Sequence, residues 1–383
     1  MRIVHVEDYF DPSAGYQINE LLVASMEFED EVFLITSDDM TPFHKKVDLK
    51  KDKEYEKNTG VKIIRLKATY KLSSRVILKG IKEHLEKLKP NVVFMHGIGD
   101  FKDLLLWNKK QEFKIVRDCH MSWVASKNKF RYLYYFLYRI LFASIINSTN
   151  KYDMIYALGV EEYEYLKKIG ISDNKIDFLY HGYNDSYMYF DKIEREKIRR
   201  KYNLSEEDII ISYIGKFNFI KRPDIIADII ELIDPEFIVD NKVKLLFIGS
   251  KDEKYMNEFN KKIEKIKNKI PIIQDEWKPF NELYKYFSAS DICVFPKETT
   301  LSSIHAQVCG CSVVMENHKS NAERVLNKGH LYQTNNISHA ASIIKNIIMN
   351  KEYKDNYENI ALLKDREYKN QIKKFMLQVT KDK

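Results

Sequence analysis

At 383 residues the chain is long for a single core and sized for two domains. Its 44% apolar and 31% charged residues exclude a disordered or fibrous protein, and 12 Gly with 8 Pro exclude a low-complexity linker. The net charge of +7 suits anionic partners, meaning phosphates or an anionic membrane surface, while nothing in the sequence resembles a nucleic-acid-binding motif.

The opening Met1-Arg2-Ile3-Val4-His5-Val6 lacks a charged leader before an apolar run, so no signal peptide is expected. Short apolar strands then alternate with amphipathic helices, the signature of βαβ units. Strands are predicted at 3–6, 31–36, 62–66, 92–95, 114–117, 154–157 and 175–179, with the clearest helix at Arg75–Lys87, where Val76, Ile77, Ile81 and Leu85 recur at helical spacing. The aromatic run from Lys129 to Arg139 predicts a helix, and Leu133, Leu137, Ile140 and Leu141 predict its core face. The same rings and cations also suit a bilayer interface, but the segment 132–146 is too short and too charged to span one. After a charged helical stretch from Phe190 the pattern restarts, with strands at 209–214, 245–249, 272–274, 292–295 and 312–315. Two doubly wound domains follow, 1–187 and 188–366, with residues 367–383 forming a last helix that packs back on the first. The cysteines Cys119, Cys293, Cys309 and Cys311 form no CxxC pair, so buried thiols in a reducing, cytoplasmic compartment are expected.

In parallel sheets ligands bind beyond the carboxyl ends of the strands, and two segments there carry chemistry. In Gly215-Lys216-Phe217-Asn218-Phe219-Ile220-Lys221 a strand ends in a glycine turn and two lysines flank the loop, as a departing diphosphate requires. In a lysine-rich chain the same pair also reads as solvated loop residues. The second segment, Asp291 to Val314, runs from a buried strand into a hydroxyl-rich turn at Thr299 and Thr300, a short helix bearing His305, and a Cys309-Gly310-Cys311 turn. Backbone N–H groups near Thr300 and Leu301 suit a phosphate. A lone histidine such as His305 is more often a core or surface residue than a ligand.

Together these segments resemble the donor half of the retaining glycosyltransferases of family four, which have the GT-B fold. Gly215-Lys216 and Lys221 stand where that family has Gly-Arg and a lysine five residues on, both on the donor diphosphate; lysine keeps the charge of arginine but loses its fork. Asp291, Val294, Pro296, Ala306, Cys309, Gly310, Val313 and Val314 match the second signature, but its two glutamates fall on Lys297, with Glu298 one residue along, and on His305. The resemblance implies a GT-B arrangement of two facing Rossmann-like domains with a C-terminal crossover helix. It places Gly15, Gly215, Lys216, Lys221, Thr300, Leu301 and His305 on the donor, with Glu298 toward the sugar and Asp275 to Lys278 near the base. It further implies that His120, in Arg117-Asp118-Cys119-His120, lies beside the transferred sugar, with His96 equivalent one strand earlier.

The expected activity is retaining transfer of a sugar from a nucleotide-diphosphate sugar to a saccharide or lipid-linked acceptor, in surface polysaccharide or glycan assembly. His120, Lys216, Lys221 and Glu298 are the expected catalytic residues. No cofactor and no metal are expected, because the chain lacks the Asp-x-Asp motif of the other major glycosyltransferase fold. The expected location is the cytoplasm, at the inner face of a membrane. The alternatives are a non-catalytic glycosyltransferase-like subunit, which the replaced glutamates favour, and a nucleotide-sugar epimerase, for which few cleft carboxylates are visible.

Overall fold

The computed structural model describes residues 1–14, 16–28, 31–41, 46–72, 75–107, 113–120, 130–148, 152–297, 299–354 and 359–380. The chain divides into one unit made of Met1–His181 with Tyr368–Lys383, and a second made of Gly182–Glu367. The division falls after His181 rather than after residue 187, because Tyr183 bridges to Glu367 and the Tyr183 and Met188 side chains enter the core of the second unit.

The first unit contains β1 (Arg2–Val6), β2 (Glu31–Ser37), β3 (Lys62–Leu66), the antiparallel pair β4 (Ala68–Leu72) and β5 (Arg75–Leu78), β6 (Val92–Met95), β7 (Lys114–Cys119), β8 (Tyr152–Ala157) and β9 (Ile176–Phe178). Seven of them form a sheet in the order β3-β2-β1-β6-β7-β8-β9, with every described pair parallel. Side chains alternate between its faces, so Val4 and Val6 join one core while Ile3 joins the other, on which the helix Tyr368–Thr380 lies. Phe375 packs its ring on Phe94 and Tyr156, and Tyr156 donates a hydrogen bond to Gln378.

The second unit contains β10 (Ile209–Ile214), β11 (Val243–Ile248), β12 (Ile272–Asp275), β13 (Ile292–Phe295), β14 (Ser312–Glu316) and β15 (Leu331–Tyr332), in the order β12-β11-β10-β13-β14-β15. Each residue of β10 is buried, as expected of a central parallel strand covered on both faces. In both sheets strand order reverses beside the first strand, at β1/β6 and at β10/β13, and such switch points open a crevice for ligands.

Two helix expectations are corrected. Arg75–Leu78 is a strand, with Val76 and Leu78 turned inward at period two, and the helix starts only at Ile81. Gly80, at φ 81°, ends one pattern and starts the other. The helix Arg131–Tyr138 buries Tyr135 and Tyr138, whereas Leu133, Leu137, Ile140 and Leu141 are 46–57% exposed. A π turn over Arg139–Ala143 advances the register, so the buried stripe runs Tyr135, Tyr138, Ala143, Ile146.

Candidate active site

At the β10/β13 switch point a cavity of about 350 Å³ opens over the carboxyl ends of β10 and β11. It is lined by Gly215, Lys216, Lys221, Gly249, Trp277, Lys278 and the turn Thr299–Ser302, among others. Two strand ends meet closely here: the Gly215 N–H donates to the Ile248 carbonyl at 2.9 Å, and a Cβ on Gly249 would lie 1.6 Å from the Gly215 carbonyl oxygen. The Asn218 side chain caps the loop by accepting from the N–H groups of Ile220 and Lys221. Lys221 crosses the cavity mouth and donates to the Thr299 carbonyl at 2.7 Å, while Lys216 is exposed. Two cations thus converge on a glycine-walled crevice, an arrangement suited to a diphosphate.

Gly215, Lys216, Lys221, Thr300 and Leu301 are therefore brought together. Gly15 and Glu298 lie outside the described residues. His305 is buried at 2% exposure and does not line the cavity; its ring packs edge-on against Phe280. Burial pushes its pKa down to about 4, so it is uncharged at neutral pH. Since a histidine in the unfolded chain titrates near ~6.5, His305 supports the fold fully above that pH and progressively less as pH falls toward 4. His305→Leu is expected to flatten the loss of stability between pH 6.5 and pH 5, read from urea midpoints at the two values; equal slopes in both proteins would contradict it. Lys297, where the resemblance has a glutamate, is tied to Glu316 at 3.0 Å and to Asn335 at 2.6 Å.

Of three further residues of this region, Asp275 and Trp277 lie in the stretch that the resemblance puts near the base, and Glu316 escapes sequence reasoning. Trp277, 60% exposed, stands on the cavity rim as an open aromatic face. Asp275 holds that loop by accepting from Tyr202, Lys201, Lys278 and the Glu276 N–H. Glu316 brings a buried carboxylate to the end of β14. The role of Glu316 depends on its contact with Lys297 beyond the neighbouring strand, which leaves no local signal in the sequence.

A larger cavity of about 610 Å³ lies at the opposite strand ends, beside Ile209 and Asp291. Its Arg195 is already paired with Asp291 and Glu206, and ligands of parallel sheets bind at the carboxyl ends, so the smaller cavity is the better site.

At the switch point of the first sheet, Asp118 closes β7 and bonds two histidines: His96 Nδ1 lies 2.6 Å from Oδ2, and His120 Nε2 lies 2.8 Å from Oδ1. The Gly97 N–H also donates to Oδ1. The His120 side chain is 37% exposed, and its pKa is raised to about 9 because the Asp118 carboxylate outweighs desolvation. His96 is 1% exposed with both ring nitrogens engaged, so it supports the site from beneath rather than touching a sugar. Glu7, His96 and His120 place ligand atoms within 4.8 Å of one another, close enough for a metal. The donor set opposes one, since His96 has no nitrogen to spare and His120 is held as a cation. Gln17, the first residue of the helix Gln17–Met26 that follows the β1 loop, is buried with neither amide atom partnered among the described residues.

The family model described as Glycosyl transferases group 1 matches residues 194–363. An uncharacterized 41.2 kDa protein in the cps region of Klebsiella pneumoniae is 25% identical over 213 residues, covering 54% of this chain. The chain spans about half the length of that curated relative, 53%. Among solved structures, Anabaena HepE in complex with UDP superposes with a TM-score of 0.72 at 13% identity, over 98% of this chain and 99% of that one. WaaG, a glycosyltransferase involved in lipopolysaccharide biosynthesis, gives a TM-score of 0.65 at 13% identity over 99% and 100%.

Proposed function

We propose, from the premise that residues 194–363 are a glycosyl transferases group 1 domain in a chain of GT-B fold, that the protein transfers a sugar with retention from a nucleotide-diphosphate sugar to a saccharide or lipid-linked acceptor. The observation that carries this reading is the crevice at the β10/β13 switch point, where Gly215 removes side-chain bulk and Lys216 and Lys221 supply charge for a leaving diphosphate. Trp277 offers a stacking face for the base, and His120 a cation beside the transferred sugar. No metal enters this scheme. UDP-sugars are the first donors to try, given the likeness to a UDP complex, and surface polysaccharide assembly is the setting we favour.

The test is a thermal-shift panel of nucleoside diphosphates and nucleotide sugars. A ligand that binds only the folded state at 100 times its Kd adds about 2.7 kcal/mol, a rise of several degrees. A shift for one nucleotide, followed by sugar transfer, supports the transferase. Binding without transfer or hydrolysis would favour the non-catalytic subunit, toward which Lys297 and His305 in place of glutamates point. No shift with any nucleotide would overturn the donor site.

We place the protein at the cytoplasmic face of a membrane, by contact rather than insertion. No helix among the described residues is long and apolar enough to cross one. Yet Phe130, Leu133, Phe136, Leu137, Ile140 and Leu141 expose 46–72% of their surface on successive turns, flanked by Arg131. Soluble monomers rarely leave so continuous an apolar face open, and rings with a basic flank fit an anionic interface. Phe136→Ser with Ile140→Ser should cut co-flotation with phosphatidylglycerol-containing vesicles by about tenfold or more, each buried methylene counting for ~0.8 kcal/mol. Unchanged flotation would sink the membrane contact.

A further inference from the structure

A continuous hydrogen-bonded chain of ionisable side chains crosses the switch point of the first sheet. Ser25 Oγ lies 3.3 Å from His5 Nε2, and His5 Nδ1 lies 2.9 Å from His96 Nε2. His96 Nδ1 then meets Asp118, whose other oxygen meets His120 Nε2. Only the last member reaches solvent: His5, Ser25 and Asp118 are 0% exposed and His96 1%. The His5 and His96 rings stack on each other and on Phe94, which fixes their planes.

An apolar core needs no such chain, and two buried imidazoles with a carboxylate are costly to bury unless each polar atom is matched. Here the matching has a direction. The Asp118 carboxylate can only accept, so His96 carries its proton on Nδ1. At the far end of the chain Ser25 Oγ donates to the Leu21 carbonyl at 2.8 Å, which ties the chain to the helix Gln17–Met26. Burial keeps His5 itself uncharged, by pushing its pKa well below the usual value; His96 adds to this and Asp118 opposes it.

We propose that His5 and His96 are positioning residues for His120, fixing the Asp118 carboxylate so that it grips Nε2–H and leaves Nδ1 as the ring atom offered to the reacting sugar. The proposal rests on the reading that His120 lies beside that sugar. Besides Asp118, the charged groups facing His120 are Glu7, from the end of β1, and Glu162, from the helix Val160–Lys168. Both favour the imidazolium but sit on other elements, so neither can replace Asp118 in orienting the ring.

The test compares wild type, His96→Leu and His96→Asn by NMR titration of the histidine side chains without ligand, and by the pH profile of sugar transfer. Asparagine keeps an N–H near the position of Nδ1 and so keeps the Asp118 bond; leucine removes it. His120 should titrate near 9 in wild type and close to that in the asparagine variant. In the leucine variant it should fall by about one unit or more toward ~6.5, and the alkaline limb of the profile should follow. There kcat should drop by about 10-fold with little change in donor KM, the usual scale for outer-sphere partners. His5→Phe, which keeps the stack and removes the hydrogen bond, should move the titration the same way and covers failure of His96→Leu to fold. An unchanged His120 titration in the leucine and phenylalanine variants overturns the proposal, whether or not nucleotide binds. Loss of nucleotide binding by wild type would instead overturn the transferase reading, with the titration still interpretable.

Discussion

Lys221→Ala is expected to lower kcat/KM for the sugar donor by about 10²–10³-fold, the usual loss when one preorganised donor to a developing anion is removed. Lys221 is held over the cavity by the Thr299 carbonyl and by the Asn218 cap on its own backbone, so its charge is placed before any ligand arrives. Charge on the leaving diphosphate grows as the sugar–phosphate bond breaks, so the loss should appear mainly in kcat. Lys216 is exposed and less constrained, and Lys216→Ala should cost less, about tenfold, as expected of a more solvated cation. Lys216→Arg should be tolerated or improved, since a guanidinium can fork across two phosphate oxygens. Steady-state kinetics with one donor and a fixed acceptor decide the matter. A Lys221→Ala enzyme within threefold of wild type would remove the lysine pair from the mechanism.

How much of this site was legible beforehand depends on how local each feature is. Gly215, Lys216 and Lys221 lie within seven positions on one strand-loop segment, and their convergence follows from where a parallel strand ends. The alternation of strands with helices was equally readable, because each central strand is an unbroken apolar run, as Ile209–Ile214 shows. Arg75–Lys87 misled because Val76, Ile77 and Ile81 fit a helical period while Val76 and Leu78 alternate as in a strand, and only the Gly80 backbone separates the two. The aromatic helix misled in another way. Its buried face is taken by the Tyr135 and Tyr138 rings rather than by Leu133 and Leu137, and beyond them a π turn, which no apolar spacing announces, carries the stripe on to Ala143 and Ile146.

The polar networks were the least legible. His305 reads as a ligand by motif alignment, yet it is a core residue against Phe280. His5 reads as one polar residue inside a strand, and its meaning appears only when β1, β6 and β7 lie side by side. A buried polar group has to find its partner across the sheet, and partners so far apart in sequence leave no periodic trace. The same holds for Lys297, whose ammonium is neutralised by Glu316 on the neighbouring strand.

Arg117→Met should destabilise the first unit by about 3–5 kcal/mol, the cost of breaking a buried ion pair by removing one partner. Arg117 is 0% exposed; it donates to Asp103, to Asp100 at 2.7 Å and to the Gly97 carbonyl at 2.6 Å. Lys102 completes the cluster, pairing with Asp100 at 3.0 Å and Asp8 at 2.6 Å. Burial raises the Asp103 pKa to about 6 even with Arg117 beside it, while the two cations hold Asp100 at about 2 despite its burial. Asp100 therefore stabilises the fold above the unfolded carboxylate pKa of ~3.9 and loses that contribution as pH falls toward 2. Without Arg117 both carboxyls would be driven toward protonation, so the deficit should already be present at pH 4.5, where Asp100 is charged in the wild type, and should be largest above pH 7. For a unit of this size the expected fall in Tm at pH 7.5 is on the order of 10 °C. Arg117→Lys should recover part of it, since the charge returns without the fork. Nucleotide binding by the second unit, read by calorimetry below the transition, should be unaffected, because none of its cavity residues belongs to the first unit. A variant that melts within 2 °C of wild type at both pH values would mean that water or neighbouring groups compensate the buried carboxylates, and that the charge on Arg117 is not what holds the β6–β7 connection in place.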